Sequence, residues 1–266
     1  MAGSHVLVTG ASGGVGIAAA RELLQQGARV TLHCNSNTRD AAALCALHTT
    51  TARIAVADTT DEAAVAALVT AAVAAFGPIS TLVVVHGIWP AEDCPVKDLS
   101  LARWRNTMAV NLDGAFLFCR EYLRQLDASK AALALAENIA IVFVGSTAGK
   151  FGEAFHADYS ASKSALMYGL TLSLKNEIVK IHPKGRVNTV SPGWIRTPMA
   201  ARALEDPQLL YQALASSPLK KVSEPEDIAR AILFLSCSAM SGNITGISLD
   251  VNAGMEGRLL NKPEDF

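Results

Sequence analysis

The sequence has little charge and no cysteine pattern that would cross-link it. Only 18% of its 266 residues are charged, the net charge is −1, and no long basic run occurs. That balance argues against nucleic acid as a partner. The five cysteines are odd in number and scattered, without C-x-x-C spacing, which argues against a disulfide framework and a structural metal site. We therefore expect a reduced, cytoplasmic protein without a metal.

Long apolar runs are also missing. The most apolar stretch, AAVAALVTAAVAAF at 63–76, has 14 residues, whereas a membrane helix needs about 20. The opening MAGSHVLVTG has no cationic segment ahead of an apolar one, so no signal peptide is expected. Half of the residues are nevertheless hydrophobic, which is enough for one large buried core. We expect no membrane partner.

What the sequence does contain is a regular alternation of two kinds of segment. Short β-branched runs are each followed by a longer stretch typical of a helix; the runs are HVLV, RVTL, RIAV, TLVVV, IAIVFV and RVNTV. Such runs are typical of buried parallel strands whose helices cover both faces. One helix start, TTDEAA, offers a threonine N-cap followed by acids. The pattern predicts one α/β domain over residues 1–266, a Rossmann-type doubly wound parallel sheet of about seven strands with helices on both faces.

A glycine-rich loop follows the first predicted strand, at residues 9–16. Its spacing is TGxxxGxG. Between a strand and a helix, such glycines let backbone N–H groups approach a pyrophosphate at the positive end of the helix dipole. An ordinary glycine-rich turn is the alternative. The candidate nucleotide contacts in this loop are Gly10, Ser12, Gly13, Gly14, Val15 and Gly16.

A second motif, HADYSASKSAL at 156–166, places Tyr159 four residues before Lys163. In a helix, four residues make about one turn, so both side chains leave the same face. A neighbouring ammonium favours ionisation of a phenol, whose ordinary pKa of about 10 makes it a poor acid or base at neutral pH. Taken alone, the pair is also consistent with an exposed helix surface.

Together, TGxxxGxG near the start and YxxxK in the middle resemble the short-chain dehydrogenase/reductase family. The likeness runs from Val6 to about Gly254 and includes VADTT, TMAVNLDGAF, VFVGSTAG and SPGWIRTPM in the family's order. Within the family the sequence is most similar to 3-oxoacyl-thioester (acyl-carrier-protein) reductases and related ketone reductases. The resemblance implies a nicotinamide dinucleotide as cofactor and hydride transfer as the reaction.

The resemblance assigns four catalytic residues, Asn111, Ser146, Tyr159 and Lys163. It implies that Tyr159 exchanges a proton with the substrate oxygen while Ser146 holds that oxygen in place. It implies that Lys163 lowers the pKa of the phenol together with the oxidised nicotinamide, and that it holds the nicotinamide ribose. Asn111 is expected to anchor a water that links Lys163 to solvent. Taken alone, Ser146 also fits a helix cap, and Asn111 a turn.

Matching positions imply further cofactor contacts. Asp58, after the third predicted strand, corresponds to a family position that contacts the adenine, with a helix N-cap as a compatible alternative. A substrate lid is expected at about 197–220. The contacts expected near the nicotinamide are Gly87, Tyr159, Lys163, Pro192, Gly193, Ile195 and Thr197.

The end of the second predicted strand, RVTLHCNSNTRD, favours NADP over NAD. NAD-preferring relatives usually end this strand with an acid that binds the adenosine ribose, but Cys34 occupies that position. The neutral donors Asn35, Ser36 and Asn37 follow and fit a 2′-phosphate, which a carboxylate would repel. Gly13 stands where many NADP users carry a basic residue, which argues for a modest preference.

The sequence departs from the family after the fourth predicted strand, where Val84-Val85-His86-Gly87 replaces NNAG. The change removes two amides that normally brace the strand near the cofactor. His86 is a candidate substrate contact, with a packed histidine as the alternative. Trp89 and Trp194 are candidate walls of a substrate pocket.

We therefore expect an NADP(H)-dependent enzyme that reduces a small-molecule ketone or an acyl thioester substrate to a secondary alcohol. One alternative is an NAD-dependent dehydrogenase of a hydroxy compound. Another is an idle dinucleotide-binding protein that senses redox state or scaffolds a complex, against which the intact Asn-Ser-Tyr-Lys set argues. The resemblance also implies a homotetramer, with a dimer as the fallback because the terminal LDVNAG departs from the family.

Overall fold

Seven parallel strands form one sheet in the computed structural model, which describes residues 1–257. The strands are β1 (His5–Thr9), β2 (Arg29–Cys34), β3 (Ala52–Val56), β4 (Thr81–Val84), β5 (Ala140–Val144), β6 (Arg186–Pro192) and β7 (Ser248–Val251). Their order across the sheet is β3-β2-β1-β4-β5-β6-β7. The predicted doubly wound parallel sheet is confirmed. Positions 258–266 of the expected domain lie outside the described residues.

Helices cover both faces of this sheet. None of them within residues 1–257 is both long and apolar enough to cross a membrane. They are α1 (Gly14–Gln25), α2 (Arg39–Leu47), α3 (Glu62–Phe76), α4 (Leu101–Met108), α5 (Gly114–Ala128), α6 (Lys130–Leu133), α7 (Thr147–Phe151), α8 (Ala157–Ser164), α9 (Thr171–Ile181), α10 (Ala201–Leu204), α11 (Pro207–Ala215), α12 (Pro225–Ser236) and α13 (Ser238–Ser241).

The sheet has a core on each side because successive side chains of a strand point to opposite faces. In β1, Val6 and Val8 enter the core that contains α1 and α12, whereas Leu7 enters the core that contains α3 and α5. The apolar Ala-rich segment at 63–76 belongs to α3, whose buried residues, including Val65 and Leu68, pack in the second core. The continuous apolar strand runs of the sequence are explained by this burial on both faces.

One helix start differs from the sequence-based prediction. The N-cap of α3 is Asp61, whose carboxylate accepts the Ala64 N–H at 3.0 Å. The expected threonine cap is therefore wrong, because Asp61 is the residue directly before the helix and its carboxylate reaches the free amide. Asp58 is not the cap either: its carboxylate accepts the amide and hydroxyl of Thr60, at 2.8 Å and 2.7 Å.

Two long helices carry most of the candidate catalytic residues. α4 continues through a π-helical turn, Ala109–Asp113, into α5. α8 continues through a second π-helical stretch, Ala165–Leu170, into α9. Such π turns shift the angular position of side chains and are frequent at functional sites.

The strand order reverses between β1 and β4. Val8 of β1 lies beside Leu32 of β2 on one side and beside Val83 of β4 on the other. In doubly wound sheets, ligands bind in the crevice beyond the carboxyl ends of the strands at such a switch point. The loops after β1 and β4 border this crevice and contain the glycine motif and the Val84-Val85-His86-Gly87 segment.

Candidate active site

The glycine loop packs directly on the turn that follows β4. Gly10 has φ +66°, which disfavours any residue with a Cβ, and a Cβ there would lie 2.7 Å from the Cα of His86. A Cβ on Gly16 would lie 2.2 Å from the Gly10 carbonyl oxygen. These contacts explain the glycine spacing: the loop must turn sharply and pass close to its neighbours.

The amino end of α1 is open to an anion. Gly13 is the N-cap and offers no side-chain hydrogen bond, and the first helical amide bond runs from Ile17 to the Gly13 carbonyl at 2.9 Å. The preceding helical amides, which belong to Gly14, Val15 and Gly16, thus have no partner inside the helix. An open helix terminus beside a glycine-rich loop fits the pyrophosphate of a dinucleotide.

Two buried histidines hold this loop in place. The Nδ1 atom of His33 accepts the Gly10 N–H at 3.2 Å, so its Nε2–H donates to the Ala57 carbonyl at 3.1 Å. The Thr9 hydroxyl oxygen accepts the amides of Val85 and His86, at 3.1 Å and 3.4 Å, and its O–H therefore donates to His86 Nδ1 at 2.7 Å. These bonds replace the bracing that the NNAG amides provide in the family.

The position of His86 does not support a substrate contact. Its side chain is buried and packs against Phe118 and His33, with ring centres 5.6 Å and 6.3 Å apart. Burial, followed by the charges of His33 and Lys163, lowers the pKa of His86 to about 3. A neutral, packed histidine fits these observations, and the sequence alone did not reveal its partner His33.

The residues expected at the adenosine end gather beyond β2 and β3. Asn35, Ser36 and Asn37 are all exposed directly after β2, and Asp58 is exposed after β3. The hydrogen bonds from Thr60 lower the pKa of Asp58. Cys34, the last residue of β2, is fully buried in the core, so β2 does not end in a carboxylate.

The segment after β6 lies against the glycine loop from the other side. Gly14 and Thr197 lie so close that a Cβ on Gly14 would be 3.0 Å from Thr197 Cγ2, so the two segments are in contact. Ile195 forms an isolated parallel bridge with Ser223, and the Ser223 amide donates to the Trp194 carbonyl at 2.9 Å. The segment that contains Pro192, Gly193, Ile195 and Thr197 is therefore fixed beside the crevice.

Asn111 links the end of β4 to the helix that carries the tyrosine. It lies in the first π-helical turn and is fully buried. Its Oδ1 accepts the Ile88 amide at 2.7 Å, and its Nδ2 donates to the Ile88 carbonyl and to Ser162 Oγ, each at 3.0 Å. A Cβ on Gly87 would lie 3.2 Å from Asn111 Oδ1 and 3.4 Å from Lys163 Nζ. Asn111, Gly87 and Lys163 thus meet at one point.

Lys163 is a buried cation whose side chain makes one hydrogen bond within residues 1–257. Its Nζ donates to the Val144 carbonyl at 2.8 Å, and burial lowers its pKa to about 8. An ammonium has three N–H groups, so two remain for other acceptors. The Nζ atom lies 5.8 Å from the centre of the Tyr159 ring.

Tyr159 and Ser146, the residues expected to act on the substrate oxygen, lie together. Ser146 is the N-cap of α7, and its Oγ accepts the Ala148 amide at 3.1 Å. Burial raises the pKa of Tyr159 to about 12, a hydrogen bond with Ser146 opposes that rise, and the charge of Glu153 adds to it. Lys163 Nζ donates to the Val144 carbonyl beside the ring, and the lowering of the phenol pKa expected from Lys163 together with the oxidised nicotinamide stays a prediction.

The two tryptophans expected to wall a substrate pocket contact each other, and one of them binds an acid that sequence reasoning missed. The Trp89 indole N–H donates to Glu153 Oε1 at 3.1 Å, and the Trp89 ring stacks on His156 with centres 4.7 Å apart. Trp194 meets Trp89 edge to face at 6.2 Å. The expected lid region, 197–220, contains α10 and α11, and its Met199 and Tyr211 are exposed.

These features define a class of protein: a dinucleotide-binding oxidoreductase, in which a tyrosine, a serine, a lysine and an asparagine meet beside the nucleotide crevice of a doubly wound sheet. A family model described as enoyl-(acyl carrier protein) reductase matches residues 10–256. The chain belongs to the short-chain dehydrogenase/reductase family, whose members act on hydroxyl and carbonyl groups with a nicotinamide dinucleotide.

Its relatives differ in their substrates. The chain is 36% identical to galactitol 2-dehydrogenase of Cereibacter sphaeroides, with 95% of this chain and 94% of the relative covered. It is 33% identical to cis-4-hydroxycyclohexanecarboxylate dehydrogenase of Sinomonas cyclohexanicum, with 93% and 94% covered. It is 32% identical to 3-oxoacyl-(acyl-carrier-protein) reductase of Vibrio cholerae, with 95% and 97% covered.

A solved structure shares the fold over nearly its whole length. The crystal structure of a short-chain dehydrogenase/reductase of the glucose/ribitol dehydrogenase type from Brucella melitensis has a TM-score of 0.84 and 31% identity. The match covers 98% of each chain.

Proposed function

We propose that the protein is an NADP(H)-dependent oxidoreductase that reduces a ketone or a 3-oxoacyl group to a secondary alcohol. One observation carries the proposal: Asn111, Ser146, Tyr159 and Lys163 meet next to an open helix terminus at the sheet's switch point. The two alternatives from the sequence, an NAD-dependent dehydrogenase and an idle dinucleotide-binding protein, make different predictions for the same assay.

Tyr159 acts as the general acid in the reducing direction. Since its pKa is about 12, the phenol carries its proton at neutral pH. When bound, NADPH supplies the hydride that reduces the carbonyl carbon. The Tyr159 O–H gives its proton to the oxygen that becomes the alcohol, and the same group takes a proton back in the oxidising direction.

Ser146 positions the reacting oxygen. Its Oγ already accepts the Ala148 amide, so its hydroxyl proton is free to donate to the substrate carbonyl. A donor fixed as a helix N-cap needs little reorganisation when negative charge develops on that oxygen.

Lys163 and Asn111 support both the cofactor and the proton supply. The two N–H groups of Lys163 that Val144 leaves unused fit the nicotinamide ribose hydroxyls. Asn111 holds the Ile88 backbone beside Lys163, where a water would connect the ammonium to solvent. Tyr159 then regains its proton along this path.

Several features support NADP, an oligomer and a cytoplasmic location. Asn35, Ser36 and Asn37 present neutral donors directly after β2, which ends in Cys34 and not in a carboxylate that would repel a 2′-phosphate. The outer faces of α5 and α9 expose Phe116, Leu172 and Val179, which fits pairing of these helices in a homotetramer, or a dimer as the fallback. All five cysteines are free, which fits a reducing compartment.

Steady-state kinetics test the proposal against its alternatives. The wild type is assayed with ketones and a 3-oxoacyl thioester plus NADPH or NADH, and with the matching alcohols plus NADP or NAD. Ketone reduction with higher kcat/KM for NADPH is the expected result. A preference for NAD and an alcohol supports the dehydrogenase alternative, which the name of the galactitol relative favours. Tight dinucleotide binding without any turnover supports the idle protein.

A further inference from the structure

Asp158, the residue directly before Tyr159, is a buried charge that the proposed reaction does not use. It lies in the first turn of α8, and its side chain is 0% exposed. Burial acts to raise its pKa, but the hydrogen bonds from Thr107 and Arg103 outweigh burial, so the pKa of Asp158 is lowered. A buried carboxylate that stays ionised is costly unless it is paired and hydrogen-bonded. Its partners therefore indicate what it does.

One oxygen of this carboxylate accepts two hydrogen bonds from α4. Thr107 Oγ1 donates to Asp158 Oδ2 at 2.8 Å, and Arg103 Nε donates to the same oxygen at 3.2 Å. The two donors are four residues apart on α4, so they lie on one face of the helix. Arg103 also donates from its NH1 group to the Glu92 carbonyl at 2.7 Å, in the loop after β4 that contains Trp89. Two helices and this loop are thus joined at a single buried carboxylate.

A second link between the same two helices lies about one turn further on. Asn111 Nδ2 donates to Ser162 Oγ at 3.0 Å, and Ser162 Oγ donates to the Tyr159 carbonyl at 2.7 Å. Asn111 is four residues after Thr107, and Ser162 is four residues after Asp158, so the two links are stacked along both helices. A single link would leave α8 free to rotate about it, whereas two links fix its rotation. Tyr159 lies between them on α8, so they set the direction of its ring.

We propose that Asp158 is a positioning residue, which aligns the Tyr159 phenol with the reacting oxygen by clamping α8 to α4 through the Thr107 hydroxyl. This inference rests on the proposed function, in which that phenol gives its proton to the substrate. Asp158 acts through Tyr159 and the helix that carries it. Proton transfer requires close alignment, and a misplacement of about 1 Å caused by a distant residue can lower a rate about a hundredfold.

A pair of variants at Thr107 tests the clamp without removing the buried charge. Thr107→Val replaces the hydroxyl by a methyl group of similar size and leaves Asp158 its bond from Arg103. We expect kcat for ketone reduction to fall by roughly tenfold to a hundredfold. KM and the Kd for NADPH should stay within about twofold, because an interaction that acts only in the transition state leaves ground-state binding unchanged. Thr107→Ser restores the donor and should recover most of kcat.

Thr31→Val is the matched control for the loss of a buried hydroxyl. Thr31 is buried in β2, and its hydroxyl donates to His5 Nε2 at 2.9 Å, where β1 begins and away from the site. This variant should lose thermal stability as Thr107→Val does but keep the wild-type kcat. Asp158→Asn removes the charge itself and should lower kcat at least as much; Thr107→Val decides the question where Asp158→Asn fails to fold. All kcat values are divided by the fraction of protein that binds NADPH, so that unfolded molecules are not counted.

A solvent deuterium isotope effect on kcat provides a readout that a purely structural role would not change. It should increase in Thr107→Val, because a misaligned O–H group slows proton transfer relative to the other steps, and it should return to the wild-type value in Thr107→Ser.

The outcomes distinguish this inference from the proposed function. A wild-type kcat in Thr107→Val, or an equal loss of kcat in Thr107→Val and Thr107→Ser, would overturn the clamp and leave the proposed function standing. A loss in Thr31→Val as large as in Thr107→Val would also overturn the clamp, since stability alone would then explain both. A wild type that binds NADPH but turns over no ketone or alcohol would overturn the proposed function and the clamp with it.

Discussion

The Nζ atom of Lys163 lies 5.8 Å from the centre of the Tyr159 ring and donates to the Val144 carbonyl at 2.8 Å. The ammonium is therefore held at the end of β5, beside the ring and away from a direct bond with the phenol oxygen. We therefore propose separable tasks for the two residues of the YxxxK motif: Tyr159 moves the proton, and Lys163 binds the cofactor. Variants of the two should differ in cofactor binding.

We predict that Tyr159→Phe lowers kcat by at least about 10² to 10⁴, the usual contribution of a general acid or base. The Kd for NADPH should stay close to the wild-type value, since the ring still packs and only the hydroxyl is lost. The control is Tyr168→Phe, because Tyr168 lies further along the same helix and is 45% exposed. Near-normal kcat in Tyr159→Phe for every accepted ketone would show that the acid is another group.

Lys163→Ala should damage both activity and cofactor affinity. The variant loses the buried N–H groups that fit the nicotinamide ribose, and it leaves the Val144 carbonyl without its donor. Lys180→Ala, on the exposed surface of α9, controls for loss of one positive charge. Isothermal titration with NADPH measures the affinity, and an unchanged Kd in Lys163→Ala would contradict the ribose contact.

The pH dependence of alcohol oxidation should follow the Tyr159 phenol. Only the ionised phenol accepts a proton, so kcat/KM for the alcohol rises with pH towards the pKa of this group. Ser146 lowers that pKa and Glu153 raises it. Ser146→Ala should therefore move the rise to higher pH, and Glu153→Gln should move it to lower pH. Shifts in the same direction for both variants would contradict these roles.

Sequence patterns predicted the features that are local along the chain. The glycine spacing, the apolar strand runs and the YxxxK motif each depend on neighbouring residues, and the sheet and the two motif sites follow from them. The partners of Glu153 and His33 were not predictable in this way. Trp89 is 64 residues from Glu153, and Gly10 is 23 residues from His33, so only the folded chain brings them together.

The effect of burial on the pKa of the site residues also could not be predicted from the sequence. The lowering of the phenol pKa that we expect from Lys163 together with the oxidised nicotinamide stays a prediction, whereas burial acts in the opposite direction and raises the pKa of Tyr159 to about 12. Desolvation depends on the packing of the whole site, and the spacing of two residues contains no information about it. The predicted threonine N-cap of α3 was wrong for a simpler reason: Asp61 lies one position nearer the helix.

We predict that charges on the outer faces of α5 and α9 dissociate the expected tetramer. Phe116 is 46% exposed and Leu172 is 39% exposed, so Phe116→Glu and Leu172→Asp should each place a carboxylate in a buried subunit contact. Light scattering should show the mass falling towards the 27.9 kDa monomer. Leu135→Asp is the matched control, because Leu135 is 91% exposed in the loop between α6 and β5. A monomeric wild type at micromolar concentration would refute the assembly.

The cofactor preference should depend on the exposed turn after β2. We expect the wild type to have a higher kcat/KM with NADPH than with NADH, since Asn35, Ser36 and Asn37 are neutral donors. Asn35→Asp should lower the NADPH/NADH ratio by about fivefold or more, because repulsion between a carboxylate and a 2′-phosphate a few ångströms apart is worth at least about 1 kcal/mol. Asn35 is a better position for this test than Cys34, which is fully buried, so that an aspartate there would also disturb the core.

Gln25→Glu, at the exposed carboxyl end of α1, is the control for an added negative charge and should leave the ratio unchanged. The ratio is measured with one good ketone under identical ionic strength, because screening weakens repulsion between exposed charges. High salt should therefore restore part of the NADPH activity of Asn35→Asp. An NADH preference in the wild type would reverse the assignment, and an unchanged ratio in Asn35→Asp would place the 2′-phosphate away from this turn.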